Sequence, residues 1–299
     1  MIPPPTRSGY TTTTEVPLYW AAWGPAGAPR LLVLHGGPGA HHDYLLPQML
    51  RLAERHEVVF YDQRGGGRSR TDDRAPITWR THADDLARVA RELAPGPLSL
   101  IGYSWGGLLA LLYAAEASDP AAPPDAGPRP ARMVLIDPAP ATSADRARFE
   151  AELARRQSGE HIARLRAALA ASGLRERDPD AFRQRAFELS VAGYFADPER
   201  ARDLTPFRII GRVQQSVWHS LGDFDLLPRL RYVTAPTLVI HGREDPIPLD
   251  AARHIAAALA RARLVALDGS GHVPYVEAPD ALFDVVLRFL DETEAGTSD

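Results

Sequence analysis

Short apolar segments alternate with amphipathic segments through the first half of the chain. The apolar segments Arg30–His35, Glu57–Asp62, Leu98–Tyr103 and Arg132–Ile136 have the length and composition of buried strands. Segments with helical spacing lie between them. Because parallel strands need crossover connections, which helices usually supply, this order predicts an α/β fold with a mostly parallel central sheet and helices on both faces.

The alternation is interrupted once and then resumes. Residues 139–225 contain several segments with helical spacing and no convincing strand, whereas Thr237–His241 and Arg263–Leu267 again predict strands, each followed by a helix. The sequence therefore predicts one α/β catalytic core, formed by residues 1–138 and 226–299, with the intervening segment inserted as a helical cap.

Two further segments add elements near the N-terminus. Tyr10–Glu15 and Val16–Trp23 are strand-like and predict a hairpin at the edge of the sheet. Asp43–His56 has helical spacing, which predicts a helix after the first core strand.

Composition excludes several classes of chemistry. The 299 residues are 45% hydrophobic and 24% charged, with a net charge of −4, so neither disorder nor a nucleic-acid partner is indicated. The chain has no Cys, and all 34 basic residues are Arg, which excludes thiol catalysis, disulfides and lysine-dependent mechanisms. It carries no secretory signal and no apolar run of membrane-spanning length, so we expect a cytoplasmic protein without a membrane partner.

A candidate nucleophile lies in the pattern Gly102-Tyr103-Ser104-Trp105-Gly106. This G-x-S-x-G pattern falls where a predicted strand meets a predicted helix, which is the setting of a nucleophile elbow. The sharp turn exposes the serine hydroxyl, and glycine on both sides lets the strand and helix pass closely. Taken alone, the pattern also fits a helix start with Ser104 as its N-cap.

A serine nucleophile needs a base, and the base needs an orienting acid. Asp245 and His272 follow the two late strands, in the order that this kind of fold uses after the serine. Both loops leave the carboxyl ends of parallel strands, where α/β sheets hold their sites. Glu244 and Asp137 are rival acids at the same edge, and we favour Asp245.

The oxyanion of a tetrahedral intermediate needs backbone N–H donors. The turn Gly36-Gly37-Pro38-Gly39 follows the first core strand, and Trp105 follows the serine. We expect the N–H groups of Gly37 and Trp105 to be the donors, although the glycine-rich segment also fits a plain tight turn.

Neither a metal nor a nucleotide cofactor is predicted. His35, His41 and His42 are close in sequence, but no carboxylates with ligand spacing accompany them. Residues 65–67 are Gly-Gly-Gly, without the Lys and Ser/Thr of a P-loop or the order G-x-G-x-x-G.

Five motifs together carry a family resemblance: HGGPG at 35–39, YDQRGGGRS at 61–69, GYSWGG at 102–107, GREDPIP at 242–248 and GHVPYVE at 271–277. The chain resembles the α/β-hydrolase superfamily through these motifs. HGGPG, DQRGGGRS and SWGG together are most similar to the prolyl aminopeptidase (proline iminopeptidase) group of serine peptidases.

The resemblance implies an α/β-hydrolase fold with Ser104 as nucleophile, His272 as base and Asp245 as orienting acid. It implies the N–H groups of Gly37 and Trp105 as oxyanion donors. It also implies that the turn at residues 62–64, Asp-Gln-Arg, supports the site.

Prolyl aminopeptidases bind the free amine of the substrate with glutamates, one of them shortly before an aromatic pair on the cap. Here the pair is Tyr194-Phe195, and the nearest preceding acid is Glu188, at a different spacing. Some relatives carry Glu directly after the triad Asp, where this chain has Pro246. Within the cap, Glu188, Tyr194, Phe195 and Trp218 are the candidate substrate-binding residues.

These observations predict a metal-independent serine hydrolase that acts on a small peptide or ester. The leading hypothesis is an aminopeptidase that releases an N-terminal proline or small apolar residue. One alternative is a carboxylic-ester or lactone hydrolase with the same triad. Another is a non-catalytic binding protein, which the presence of all three triad residues disfavours.

Overall fold

The computed structural model describes residues 2–72, 74–123 and 126–295. Its centre is an eight-stranded sheet with the order β1-β2-β4-β3-β5-β6-β7-β8. The first two strands pair antiparallel to their neighbours, and the other six run parallel. The strands are β1 Arg7–Tyr10, β2 Tyr19–Trp23, β3 Arg30–Leu34, β4 Glu57–Tyr61, β5 Leu98–Tyr103, β6 Pro130–Ile136, β7 Thr237–Gly242 and β8 Ala262–Leu267.

Helices cover both faces of this sheet. The helices are α1 Trp79–Leu93, α2 Trp105–Ala117, α3 Ser143–Gln157, α4 Glu160–Ala171, α5 Leu174–Arg177, α6 Pro179–Val191, α7 Gly211–Leu221, α8 Leu227–Leu230, α9 Leu249–Ala258, α10 Pro274–Glu277 and α11 Pro279–Ala295. Each helix in the described part of the chain is too short or too polar to span a lipid bilayer.

The sheet has a hydrophobic core on each face. Successive side chains of β3 enter opposite cores: Leu32 and Leu34 pack with α1, α2 and α9, whereas Leu31 and Val33 pack with α11. Every residue of β5 and β7 is buried. This two-sided burial explains the uninterrupted apolar runs in the sequence, and the predicted fold class is confirmed.

The chain between β6 and β7 is helical. Residues 139–225 are all described and form α3 to α7 without a strand of the sheet. The two ends of this helical segment lie side by side: Thr142 and Asp225 form an isolated β-bridge. The Ser143 N–H also donates to the Phe224 carbonyl at 2.8 Å. The segment therefore leaves the sheet and returns at one place.

The edge hairpin differs from the prediction. The first strand, Arg7–Tyr10, shares only Tyr10 with the predicted Tyr10–Glu15, and the second, Tyr19–Trp23, is shorter than the predicted Val16–Trp23. Threonines favour strands, but the backbone N–H groups of Thr12 and Thr13 donate to the Glu92 carboxylate on α1. This contact with a distant residue holds the threonines in a loop.

The predicted helix at Asp43–His56 is also different. The structure has two 3-10 segments, His42–Leu45 and Gln48–Glu54, instead of one amphipathic helix. Pro47 lies between them, and its ring has no N–H with which to continue a helix.

Candidate active site

Ser104 lies on a strained turn between β5 and α2. Its backbone has φ 52° and ψ −118°, a conformation that costs about 1–3 kcal/mol for a residue other than glycine. A Cβ on Gly106 would lie 2.2 Å from the Leu34 carbonyl oxygen, and one on Gly102 would lie 2.5 Å from the Gly106 carbonyl oxygen. Glycine is therefore required at both flanks, and the strand–turn–helix setting predicted for Ser104 is present.

A line of hydrogen bonds runs from Ser104 into the protein. The Ser104 hydroxyl oxygen lies 2.9 Å from His272 Nε2, and His272 Nδ1 lies 2.8 Å from Asp245 Oδ2. A carboxylate can only accept a hydrogen bond, so Nδ1–H donates to Asp245 and Nε2 accepts from the Ser104 hydroxyl. This arrangement can transfer the hydroxyl proton to His272.

The backbone of His272 is held at two points. Its N–H donates to the Tyr194 carbonyl at 2.7 Å, and its carbonyl accepts from the Tyr103 hydroxyl at 2.9 Å. The Tyr103 and Tyr194 rings each lie 5.3 Å from the imidazole, centre to centre. The imidazole is thus fixed from both the sheet and the helical segment.

Asp245 is the acid that contacts His272. Its side chain is fully buried, and Oδ1 accepts from the Ile247 N–H at 2.7 Å. Burial alone would raise the pKa of Asp245, but the His272 and His241 rings and the hydrogen bonds outweigh it and lower the pKa. Of the rival acids, Glu244 instead accepts from the Ser270 N–H.

Asp137, the other rival acid, lies behind Asp245 at the end of β6. Its Oδ1 accepts from the Gly242 N–H at 2.8 Å. The structure thus brings Asp137 beside Asp245 while Asp245 makes the hydrogen bond to the imidazole.

The two predicted oxyanion donors lie next to Ser104. Trp105 is the first residue of α2, so its N–H has no acceptor within the helix. The Gly36 N–H donates to the Tyr44 hydroxyl at 2.7 Å, whereas no acceptor for the Gly37 N–H exists among the described residues. A Cβ on Gly36 would lie 2.9 Å from the Ser104 Cβ, which shows how closely this turn approaches the serine.

Gln63 connects the two donor segments. Its side-chain amide donates to the His35 carbonyl at 2.8 Å, and its carbonyl oxygen accepts from the Trp105 indole N–H at 2.8 Å. Burial lowers the pKa of His35 to about 4, so this ring is neutral. The neighbouring Asp62 accepts from the His42 ring at 2.7 Å. The turn at 62–64 therefore fixes both sides of the predicted oxyanion site.

Glu277 is a residue that the sequence analysis left without a role. Its Oε2 accepts from the Gly271 N–H and its Oε1 from the Ala196 N–H, both at 2.8 Å. It thereby ties the loop that carries His272 to the helical segment. Burial outweighs these hydrogen bonds and raises the pKa of Glu277 to about 7.

Ser104 and His272 open into a cavity of about 390 Å³ between the sheet and the helical segment. No Asp, Glu or Arg side chain is among the described residues that line it. The polar lining residues away from Ser104 include Ser190 and Gln214. The walls are largely aromatic, with Tyr44, Phe149, Phe187, Tyr194, Phe207 and Trp218.

The four candidate residues of the helical segment separate into two groups. Tyr194 and Trp218 line the cavity, and the Trp218 ring packs 5.2 Å from that of Trp105. Phe195 points the other way, into the core, where it is 2% exposed. Glu188 accepts hydrogen bonds from Gln184 and Arg185 on its own helix. The structure therefore does not bring Phe195 or Glu188 to the cavity.

Comparison with known proteins agrees with this architecture. The sequence model described as "Alpha/beta hydrolase family" matches residues 31–285. Proline iminopeptidase from Saccharolobus solfataricus is 27% identical, over 96% of this chain and 93% of that protein. Proline iminopeptidase from Lactobacillus helveticus (strain DPC 4571) is 24% identical, over 88% of this chain and 90% of that protein.

Solved structures with the same fold include different enzymes. Proline iminopeptidase from Mycobacterium smegmatis has a TM-score of 0.70 at 23% identity, over 98% of this chain and 100% of that one. An enol-lactonase from Burkholderia xenovorans LB400 has a TM-score of 0.65 at 23% identity, over 95% of this chain and 100% of that one. At these identities the likeness concerns the fold alone.

Proposed function

The chain belongs to the alpha/beta hydrolase family, and from this premise we propose that it is a serine hydrolase in which Ser104, His272 and Asp245 form the catalytic triad. The hydrogen-bonded line at 2.9 Å and 2.8 Å, which ends at the cavity, supports this assignment. The family and its curated relatives make it a hydrolytic enzyme.

The proposed reaction begins with attack of the Ser104 hydroxyl oxygen on the carbonyl carbon of an ester or amide. His272 accepts the hydroxyl proton and then donates it to the leaving alcohol or amine. Asp245 stabilises the imidazolium, and the N–H groups of Gly37 and Trp105 bind the oxyanion. Water activated by His272 then hydrolyses the acyl-enzyme and restores Ser104.

We further propose that residues 139–225 are a cap on a catalytic core formed by residues 1–138 and 226–299. The segment supplies aromatic walls of the cavity, and its paired ends at Thr142 and Asp225 support that boundary. The cap would then determine which acyl groups reach Ser104.

The substrate class that this site supports best is an ester or amide with an apolar, uncharged acyl group. The observation that carries this proposal is the aromatic lining without an acidic side chain among the described residues. A free ammonium group in such a cavity would lose its hydration without gaining an anionic partner, which is costly. Apolar acyl groups bury favourably against the same walls.

Release of an N-terminal proline or small apolar residue is the second candidate, and the names of the curated relatives favour it. It would require an acid outside the cavity to reach the amine. Glu150 lies in an adjoining cleft with Tyr194 and Trp218, but it is paired with Arg146 at 2.7 Å.

One substrate panel tests both candidates. The purified protein is assayed with short acyl esters, N-acylated anilides, and proline and alanine anilides, alongside Ser104→Ala and the cavity-lining control Ser190→Ala. We expect turnover of acyl esters, its loss in Ser104→Ala and its retention in Ser190→Ala. Turnover of proline anilide with no ester turnover would replace the first candidate by the second. Full activity of Ser104→Ala would refute the triad.

A further inference from the structure

A second buried carboxyl group lies behind the proposed triad acid. Asp137 follows β6, its side chain is fully buried, and its backbone has φ 42°, which is unfavourable for a residue with a Cβ. The Asp137 N–H donates to the Ile240 carbonyl, and Oδ1 accepts from the Gly242 N–H, each at 2.8 Å. Hydrogen bonds to β7 therefore fix both its backbone and its carboxyl group.

The other oxygen of Asp137, Oδ2, is buried and accepts a hydrogen bond from no donor among the described residues. The Asp245 carboxyl is the neighbouring acidic group. One oxygen of each carboxyl and one nitrogen of His241 lie within 4.8 Å of one another. Two carboxyl oxygens can form a hydrogen bond only when a proton lies between them.

A base that lies near both carboxyl groups is His241, with Nε2 at 3.8 Å from Asp245 Oδ2. His241 Nε2 lies 2.9 Å from the Ile247 carbonyl, to which it must donate, and Nδ1 lies 3.5 Å from Asp137 Oδ1. Tyr103, Tyr275 and Glu277 also interact electrostatically with Asp137, and His272 donates a hydrogen bond to Asp245. Among the described residues, no arginine forms an ion pair with either carboxyl.

We propose that Asp137 is a protonated positioning residue for the triad, and that its hydroxyl donates a hydrogen bond to Asp245. This inference rests on the proposed function. The pair then carries one negative charge, as two carboxyl groups at short separation in a dry site do elsewhere. Burial and the adjacent Asp245 also raise the pKa of Asp137 well above its ordinary range.

The shared proton has a specific role. It gives Asp245 a third hydrogen bond, in addition to those from the Ile247 N–H and His272 Nδ1–H. These bonds hold both oxygens of Asp245 and leave a single charge facing the imidazole. Asp137 acts only through Asp245, so loss of its hydrogen bond should lower kcat and leave KM unchanged.

The test compares Asp137→Asn with Asp137→Leu. The Asn variant is neutral, keeps an acceptor for the Gly242 N–H, and offers an amide N–H in place of the carboxylic O–H. We expect its kcat and the acid limb of its kcat/KM profile to match the wild type. The Leu variant has no donor for Asp245, and we expect its kcat to fall about tenfold at unchanged KM.

An ionised Asp137 would give a different result. Removal of its negative charge in Asp137→Asn would move the acid limb of the kcat/KM profile to lower pH by about one unit, because a cation beside the pair would lose electrostatic stabilisation. That shift would overturn the proposal. A stoichiometric metal in the purified protein would also overturn it, because a cation between the carboxyl groups would replace the proton.

Infrared difference spectroscopy tests the proton without catalysis. Spectra are recorded for Ser104→Ala and Ser104→Ala/Asp137→Asn well above pH 7, where Glu277 is ionised. We expect Ser104→Ala to show the carbonyl stretch of a protonated carboxylic acid, and we expect this band to be absent from Ser104→Ala/Asp137→Asn. The band should persist when the exposed Asp280 is replaced by Asn as a control. Its absence from Ser104→Ala would refute the shared proton, whereas a failed proposed function would leave the band in place.

Discussion

Replacing Glu277 by Gln removes a titrating group from the link between the His272 loop and the helical segment. The carboxylate accepts from Gly271 at one oxygen and from Ala196 at the other. Gln keeps the shape and one acceptor, but its amide group faces the second N–H donor. We expect the substitution to lower stability by about 1–3 kcal/mol below about pH 4.5, where Glu277 is protonated, and to remove the pH dependence that Glu277 contributes.

The direction in which stability changes with pH follows from the raised pKa of Glu277. Burial shifts the pKa of Glu277 from 4.5 to about 7, so between these values the folded protein holds a proton that the unfolded chain has lost. The contribution to stability is therefore complete below pH 4.5 and is lost as the pH rises through about 7. A shift of this size corresponds to about 3 kcal/mol.

Urea unfolding of the wild type and Glu277→Gln, followed by tryptophan fluorescence, measures the effect. Between about pH 5 and about pH 8, the free energy of unfolding of the wild type should fall by about 2–3 kcal/mol more than that of the variant. Glu199→Gln, at a half-exposed acid of the same segment, should follow the wild type. Parallel pH profiles for the wild type and Glu277→Gln would refute the reasoning.

Two further substitutions test the site. Asp245→Asn should lower kcat about 10³–10⁴-fold with little change in melting temperature, because the amide favours the wrong imidazole tautomer. Steady-state kinetics measures kcat, and thermal unfolding measures the melting temperature. A decrease in kcat of less than tenfold would contradict the role of Asp245. Gly36→Ala should lower kcat at least tenfold and stability by about 1–3 kcal/mol, since its Cβ would lie 2.9 Å from both the Ser104 Cβ and the Tyr44 hydroxyl. Gly211→Ala, whose Cβ meets nothing within 4 Å, is the control, and equal kinetics for the two variants would contradict the steric argument.

The strands and the serine turn could be predicted because local sequence determines them. A strand buried on both faces, such as β5 or β7, must be apolar throughout, and a turn as tight as that at Ser104 requires the glycines at 102 and 106. The position of Asp245 and His272 at one sheet edge follows from parallel topology.

The features that escaped prediction depend on contacts between distant residues. The hydrogen bonds of Thr12 and Thr13 to Glu92 span about 80 positions, and those of Glu277 to Ala196 span 81. Glu188 has the right chemistry for an amine, but its place on α6 directs it to Arg185 instead. Sequence motifs indicate which groups are present, whereas the fold decides which partners they meet.

The bridge between Thr142 and Asp225 has an evolutionary consequence. Because residues 139–225 leave and rejoin the sheet at neighbouring positions, their length can change without altering the order of the strands, provided that Tyr194 and Ala196 keep their contacts with the loop of His272. Substrate range can then diverge under selection while the reaction chemistry stays constant. Chimeras that join this chain at the bridge to the corresponding segment of another family member would use the same modularity in the laboratory.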